Sequence, residues 1–415
     1  MGQPRRGSST TSSAAHVRLA DGSREGAPSN AADRVNVCSQ ARTYLQANRS
    51  AITGAGSGEN RGDDGAFGSS PLPSTNGSAN QRGWGVVYNR QKRDLMTLPS
   101  LASLQVAAEL VHRVMPPTPQ IRWPLLCARV GAETWVKHEN HSPVGAFKVR
   151  GGLVYMDSLR RRKPDVTGVI AATRGNHGQS VAFAASRTGL RSVIVVPYGN
   201  SREKNAATRA LGAELIEHGR DFQEAYEHSA KLAEAEKLHL VRSFDSTLIA
   251  GVASYALELF DAVADLDAVY VPIGMGSGIC GIVAARNALG LRTEVIGVVA
   301  ARATAYAQSF AAGRPIAADV GQTIADGMAC RVPDPAAIEI ILGGVSRMVT
   351  VEEDEIRSSM RHLFSDTHNV AEGAGAAAFA ALLQERDRMR GRRVAVILSG
   401  GNVDTEVFAQ TLASN

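Results

Sequence analysis

The sequence predicts an α/β protein built on open, twisted parallel sheets. Three observations predict it. From Met96 onward, short Val/Ile/Leu-rich segments alternate with segments of helical spacing, the pattern of parallel strands covered by helices on both faces. Three apolar segments run into Gly- or Asn-containing turns that open a helix, at 173–179, 274–281 and 398–402. In open parallel sheets, ligands bind at the carboxyl ends of strands. No repeat at a solenoid period interrupts the alternation.

In order, residues 1–95 are rich in Ser, Gly, Ala, Asn and Arg and almost lack apolar periodicity. Such a segment cannot bury enough apolar surface to offset its ordering entropy. We expect a disordered tail, with a regulatory or targeting role as one option, or a misassigned start with translation beginning at Met96. Seven acidic residues in the tail argue against an organelle presequence. Residues 101–114 have helical spacing, ended by Pro116-Pro117-Thr118-Pro119. Residues 133–137 read as a strand, and a helical pattern starts at Lys148. Strand 168–172 precedes helix 176–189. Strand 192–196 is closed by Pro197 and Gly199. Helix 203–212 leads into strand 213–216, amphipathic helix 222–235, short strand 238–241, helix 249–264 and strand 268–273. Further β–α units carry strands 295–299, 348–351 and 394–398.

With 415 residues, 44% of them hydrophobic, the chain can hold two or three domains and a sizeable core. Residues 1–95 hold 12 Lys/Arg and 7 Asp/Glu, which accounts for the whole net charge of +5; residues 96–415 balance at 33 of each. The part expected to fold therefore exerts no general pull on nucleic acid or acidic membranes. Cys38, Cys127, Cys280 and Cys330 are far apart with no CxxC pair, which favours a reduced, cytoplasmic protein without a disulfide framework or zinc site. No apolar run approaches the ~20 residues that span a bilayer, and the N-terminus lacks the apolar core of a secretory signal.

Four places could carry chemistry. Lys148 follows a Pro/Gly turn and sits beside Phe147 and Val149; a lysine in such a setting can lose its proton and act as nucleophile or base, or be an ordinary solvated lysine. The loop Thr173-Arg-Gly-Asn-His-Gly-Gln179 opens a helix whose first N–H groups suit an anion, with Thr173, Asn176 and Gln179 as side-chain donors. It also reads as a tight turn with His177 as a polar surface residue. Gly274-Met-Gly-Ser-Gly-Ile-Cys-Gly281 suits a single phosphate, since it lacks both the Walker lysine and the dinucleotide fingerprint; close helix–sheet packing is the alternative. Ser399 offers a neutral hydroxyl or a helix cap. A lysine for an aldehyde, a phosphate cradle and an anion loop together match what pyridoxal 5′-phosphate requires.

From about Thr118 to Asp404 the chain resembles the serine/threonine dehydratase family, of pyridoxal-phosphate fold type II (tryptophan synthase β-like). The resemblance rests on Lys137-His-Glu-Asn with Pro-x-Gly-x-Phe-Lys148-x-Arg-Gly, on Gly-Asn-His-Gly-Gln at 175–179, and on Thr323-Ile-Ala-Asp-Gly327. Glu372-Gly-Ala-Gly-Ala376 and Leu398-Ser-Gly-Gly-Asn-Val-Asp404 complete it. It implies a small domain at 165–246, a large domain combining 96–164 with 247–415, and a homodimer. It implies Lys148 as Schiff-base lysine and base, Phe147 against the pyridine ring, and Asn176 on the ring hydroxyl. Gly274, Met275, Gly276, Ser277 and Gly278 would hold the phosphate, and Ser399 would meet the ring nitrogen. Thr173, Arg174 and Gln179 would face the substrate. The implied reaction is dehydration and deamination of a β-hydroxy amino acid of the threonine/serine type to a 2-oxo acid and ammonia.

The chain departs from the family pattern at several positions. Ala146 replaces the usual serine before Phe-Lys, Met275 and Ser277 interrupt a glycine run, and Arg174 stands where relatives carry serine or alanine. Some relatives use that serine to racemise, which makes a racemase the less favoured alternative. Arg174 could pair with a substrate carboxylate, as in a dehydratase of 3-hydroxyaspartate (phenylserine being another candidate), or point outward. Val299 and Ala305 occupy the cation-site positions of some relatives, so no metal is expected. Outside enzymes, a binder of a phosphorylated metabolite remains a reading.

Overall fold

The computed structural model describes residues 98–414; the expectations for residues 1–95 lie outside them. Two parallel-rich sheets are present. The larger has the order β1-β2-β10-β7-β8-β9, with β1 Gln120–Arg122, β2 Glu133–His138, β7 Ala268–Pro272, β8 Glu294–Ala300, β9 Arg347–Val351 and β10 Arg393–Leu398. The smaller has the order β5-β4-β3-β6, with β3 Gly168–Ala172, β4 Arg191–Val196, β5 Glu214–Glu217 and β6 His239–Leu240.

Every strand pair is parallel except the edge pair β1–β2, in which Ile121 faces Val136. The parallel-sheet expectation holds for the rest, and β1 is a strand that the sequence reading does not place. The sequence around β1 shows only the proline turn at 116–119, because a three-residue strand is too short to display a period. The inner strands β3 and β7 are buried along their whole length, which is why they read as unbroken apolar runs rather than alternating ones.

Helix starts follow local capping. Ser100, Asp221 and Asp245 accept backbone N–H groups at the heads of Leu101–His112, Phe222–Ala235 and Ser246–Ala262. Four helices end earlier than expected: at His112, Arg187, Ala210 and Ala262, against expected ends at 114, 189, 212 and 264. The third stops ahead of Gly212, which takes the left-handed φ of 89°.

Two helix layers sandwich the large sheet. The apolar helix Gly373–Gln384 packs on one face, with Phe379 and Leu382 fully buried. Helices Ser246–Ala262 and Ser277–Ala288 pack on the other. Helix Lys148–Arg162 lies between the two sheets' layers. It packs on Ser246–Ala262 on one side and on Asn176–Arg187, from the small sheet, on the other. Its first residue, Lys148, is thereby carried to the junction of the two sheets.

Candidate active site

Lys148 points into a cavity whose wall includes Phe147, Asn176, Ser277, Asp326, Glu372 and Ser399. Strand β2 and the short turn after it deliver Lys148. Ser142 locks that turn: its Oγ accepts from the Ala146 N–H at 2.9 Å and donates to the Ala146 carbonyl at 2.8 Å. The Phe147 N–H then donates to the Ser399 carbonyl at 3.0 Å, which ties the lysine turn to the end of β10. Lys148 Nζ donates to Ser277 Oγ at 3.0 Å and lies 5.3 Å from the Phe147 ring centroid. Burial lowers its amine from 10.5 to about 8, so a neutral, nucleophilic fraction exists near neutral pH.

The Gly-rich loop follows β7 and opens helix Ser277–Ala288. A Cβ on Gly274 would fall 2.2 Å from the Gly327 carbonyl oxygen, and Gly276 adopts a φ of 93°. Both positions therefore demand glycine. The loop presents backbone N–H groups and a helix N-terminus beside Lys148, which suits a phosphate. Phe147 is held edge-on to Tyr255, with centroids 6.0 Å apart, and the Tyr255 hydroxyl donates to the Gly278 carbonyl at 2.9 Å.

The loop after β3 forms the opposite wall. Thr173 Oγ1 accepts from the Gly175 N–H at 2.9 Å, fixing the turn. Asn176 donates to Glu372 Oε1 at 2.6 Å and accepts from Asn402 Nδ2 at 2.9 Å, leaving one amide N–H to offer. Arg174 lines the cavity. Its Nε is buried and has no hydrogen-bond partner among the described residues. Gln179 is buried and is not part of the cavity wall. His177 is buried too, not a surface residue; desolvation, then the charge of Lys148, pulls its imidazole down to about 3. It stays neutral.

Three wall residues escaped the sequence reading of roles: Lys204, Asp326 and Glu372. Lys204 Nζ sits 2.7 Å from Asp326 Oδ2 and 3.1 Å from Glu372 Oε2. Burial pulls the Lys204 amine down, but the two carboxylates outweigh it and hold it above its ordinary value. Burial pushes the Glu372 carboxyl up against the opposing pull of Lys204. Asp326 and Glu372 lie in motifs visible in the sequence. Lys204 sits on helix Arg202–Ala210, in a segment the sequence reading gave no motif, so nothing local marked it.

The residues present fit pyridoxal phosphate: a half-buried lysine whose amine is lowered to about 8, a glycine-only cradle beside it, and hydrogen-bond donors on the facing loop. The pyridoxal-phosphate dependent enzyme family matches residues 112–400. The L-threonine ammonia-lyase of Thermotoga maritima is 35% identical over 282 residues, 67% of this chain and 69% of that protein. The catabolic L-threonine dehydratase of Escherichia coli is 35% identical over 288 residues, 68% and 86% of the two chains. Among solved structures, threonine deaminase isoform 2 of Solanum lycopersicum matches with a TM-score of 0.71 at 28% identity, covering 77% of this chain and 96% of that one. A pyridoxal 5′-phosphate-dependent aspartate racemase matches with a TM-score of 0.71 at 28% identity, covering 75% and 98%. The family is one of enzymes, so the reading as a non-catalytic metabolite binder is set aside. With the glycine cradle, the half-buried lysine and this match in hand, the chain belongs to the serine/threonine dehydratase family of pyridoxal-phosphate-dependent enzymes and is an ammonia-lyase.

Proposed function

We propose that the substrate is a β-hydroxy amino acid of the threonine/serine type, released as a 2-oxo acid and ammonia, and that Lys148 is the residue on which the reaction turns. The observation carrying this is the Lys148 amine, lowered to about 8 and hydrogen-bonded to Ser277 alone at the mouth of the glycine cradle. Pyridoxal phosphate supplies an aldehyde and an electron-withdrawing ring. The chain supplies the rest. Lys148 holds the aldehyde end and, as a neutral amine, takes the Cα proton. Backbone N–H groups of Gly274, Met275, Gly276, Ser277 and Gly278 hold the phosphate. Phe147 would pack against the ring, Asn176 would donate its remaining N–H to the ring hydroxyl, and Ser399 would meet the ring nitrogen. A hydroxyl there would not hold a proton on that nitrogen as a carboxylate would, which would favour elimination. Thr173 and the first N–H groups of helix Asn176–Arg187 take the substrate carboxylate.

We assign 165–246 as the small domain, because all four strands of the smaller sheet fall within it, and 96–164 with 247–415 as the large one. A cytoplasmic homodimer is the expected form. Among the described residues, no helix is long and apolar enough to cross a membrane. The likeness to the aspartate racemase favours racemisation as a second reading.

Replacing Lys148 by Ala is expected to lower 2-oxo acid release from threonine by at least ~10³-fold and to remove the visible absorption of the bound cofactor. Retained turnover would sink the assignment. Following optical rotation in the same samples separates elimination from racemisation.

A further inference from the structure

We infer that Arg174 is a specificity-determining residue that reads a second carboxylate, on the substrate side chain, so that the preferred substrate is a 3-hydroxy amino dicarboxylic acid of the 3-hydroxyaspartate class. This rests on the lyase reading above and narrows it.

The cavity's cations are not equivalent. Lys204 is held by Asp326 and Glu372, and Lys148 by Ser277. Arg174 has no carboxylate partner among the described residues, and its Nε is shut off from solvent with no acceptor. A guanidinium nitrogen in that state loses its water without gaining a hydrogen bond, unless a ligand provides one. Its position also singles it out. It borders both the Lys148 cavity and a second, wider opening lined by Asn200, Ser201 and Asn205.

The other anions already have their donors. The phosphate has the N-terminus of helix Ser277–Ala288 and the glycine cradle. The substrate α-carboxylate has the N-terminus of helix Asn176–Arg187 and Thr173. Asp326 and Glu372 in the same wall would repel a further carboxylate, but Lys204 neutralises much of that charge. What remains is a planar, permanently charged fork suited to bidentate carboxylate binding. Threonine and serine have nothing to offer it. With 3-hydroxyaspartate the balanced reaction is loss of the β-hydroxyl and the Cα proton as water, return of water, and release of ammonia and oxaloacetate.

The test uses the holoenzyme and two amino acids that lack a β-hydroxyl and so do not eliminate, L-aspartate and L-alanine, titrated by the shift in cofactor absorption. Aspartate is expected to bind at least ~10-fold more tightly than alanine. Arg174→Gln is expected to bring that ratio close to one, and Arg174→Lys to leave it in between. A ratio near one in the wild type overturns the inference. So does an Arg174→Gln variant in which both affinities fall together, which would put Arg174 on the α-carboxylate, or one in which the ratio persists. The lyase reading fails separately, if no hydroxy amino acid in a panel of threonine, serine and 3-hydroxyaspartate yields 2-oxo acid. The aspartate-to-alanine ratio is readable in either case.

Discussion

Two charged clusters flank helix Lys148–Arg162, and they are built on opposite principles. Beneath the helix, Arg150 is fully buried and donates to Glu139 at 2.7 and 3.0 Å and to Glu258 at 2.6 and 2.9 Å. It also donates to Ser254 and Thr118. Lys137 adds a 2.6 Å contact to Glu258 and a 2.7 Å bond to the Thr118 carbonyl. All five guanidinium protons have acceptors, and both carboxylates are met by cations. In the cavity, by contrast, Lys148 has one partner and Arg174 Nε none among the described residues. The two sites are two residues apart along the chain at Lys148 and Arg150. Full satisfaction marks a strut that locks the turn, the helix and its neighbour in register. Open valences mark the places where a ligand completes the structure.

That contrast can be broken by mutation. The largest effect on stability is expected from Arg150→Met, which leaves buried Glu139 without its cation and Glu258 with Lys137 and His112 only, and should cost about 3–5 kcal/mol, measured by urea unfolding. A cost below about 1 kcal/mol would mean that the cluster is no strut. Gly274→Ala comes next. Its Cβ would meet the Gly327 oxygen at 2.2 Å, so the cradle must move, and cofactor affinity is expected to fall roughly tenfold or more while the fold survives. Equilibrium dialysis of pyridoxal phosphate reads this directly.

A subtler effect concerns Lys148. Its amine is lowered from 10.5 to about 8 by burial, so between those values the unfolded chain binds the proton that the folded one has released. The cofactor-free protein should therefore gain stability as pH rises from about 8 to 10.5, and Lys148→Met should flatten that slope. Denaturation at a series of pH values checks it. The smallest effect is expected from Arg174→Gln, below about 1 kcal/mol in stability, since no partner among the described residues is left behind. A large loss there would place Arg174 with the struts.

The two clusters also differ in how far they were legible. The cavity motifs sit on loops, where local spacing of Gly, Asn and Lys reflects turn geometry, so Lys148, Asn176, the 274–278 loop and Ser399 stand out in the sequence. Arg150, Glu139, Glu258 and Lys137 come from separate elements, and nothing in a local window distinguishes a buried arginine from an exposed one.

By itself the sequence determined the alternation of strands and helices and the glycine-rich turns at the strand ends. Local spacing and apolar periodicity specify both, because they depend on near neighbours along the chain. Tertiary structure alone decided that β1 is antiparallel, that Lys204 turns inward to Asp326 and Glu372, and that Arg174 Nε is left without a partner among the described residues. Each of these depends on which distant segments arrive opposite a side chain, and burial then makes the presence or absence of a partner count.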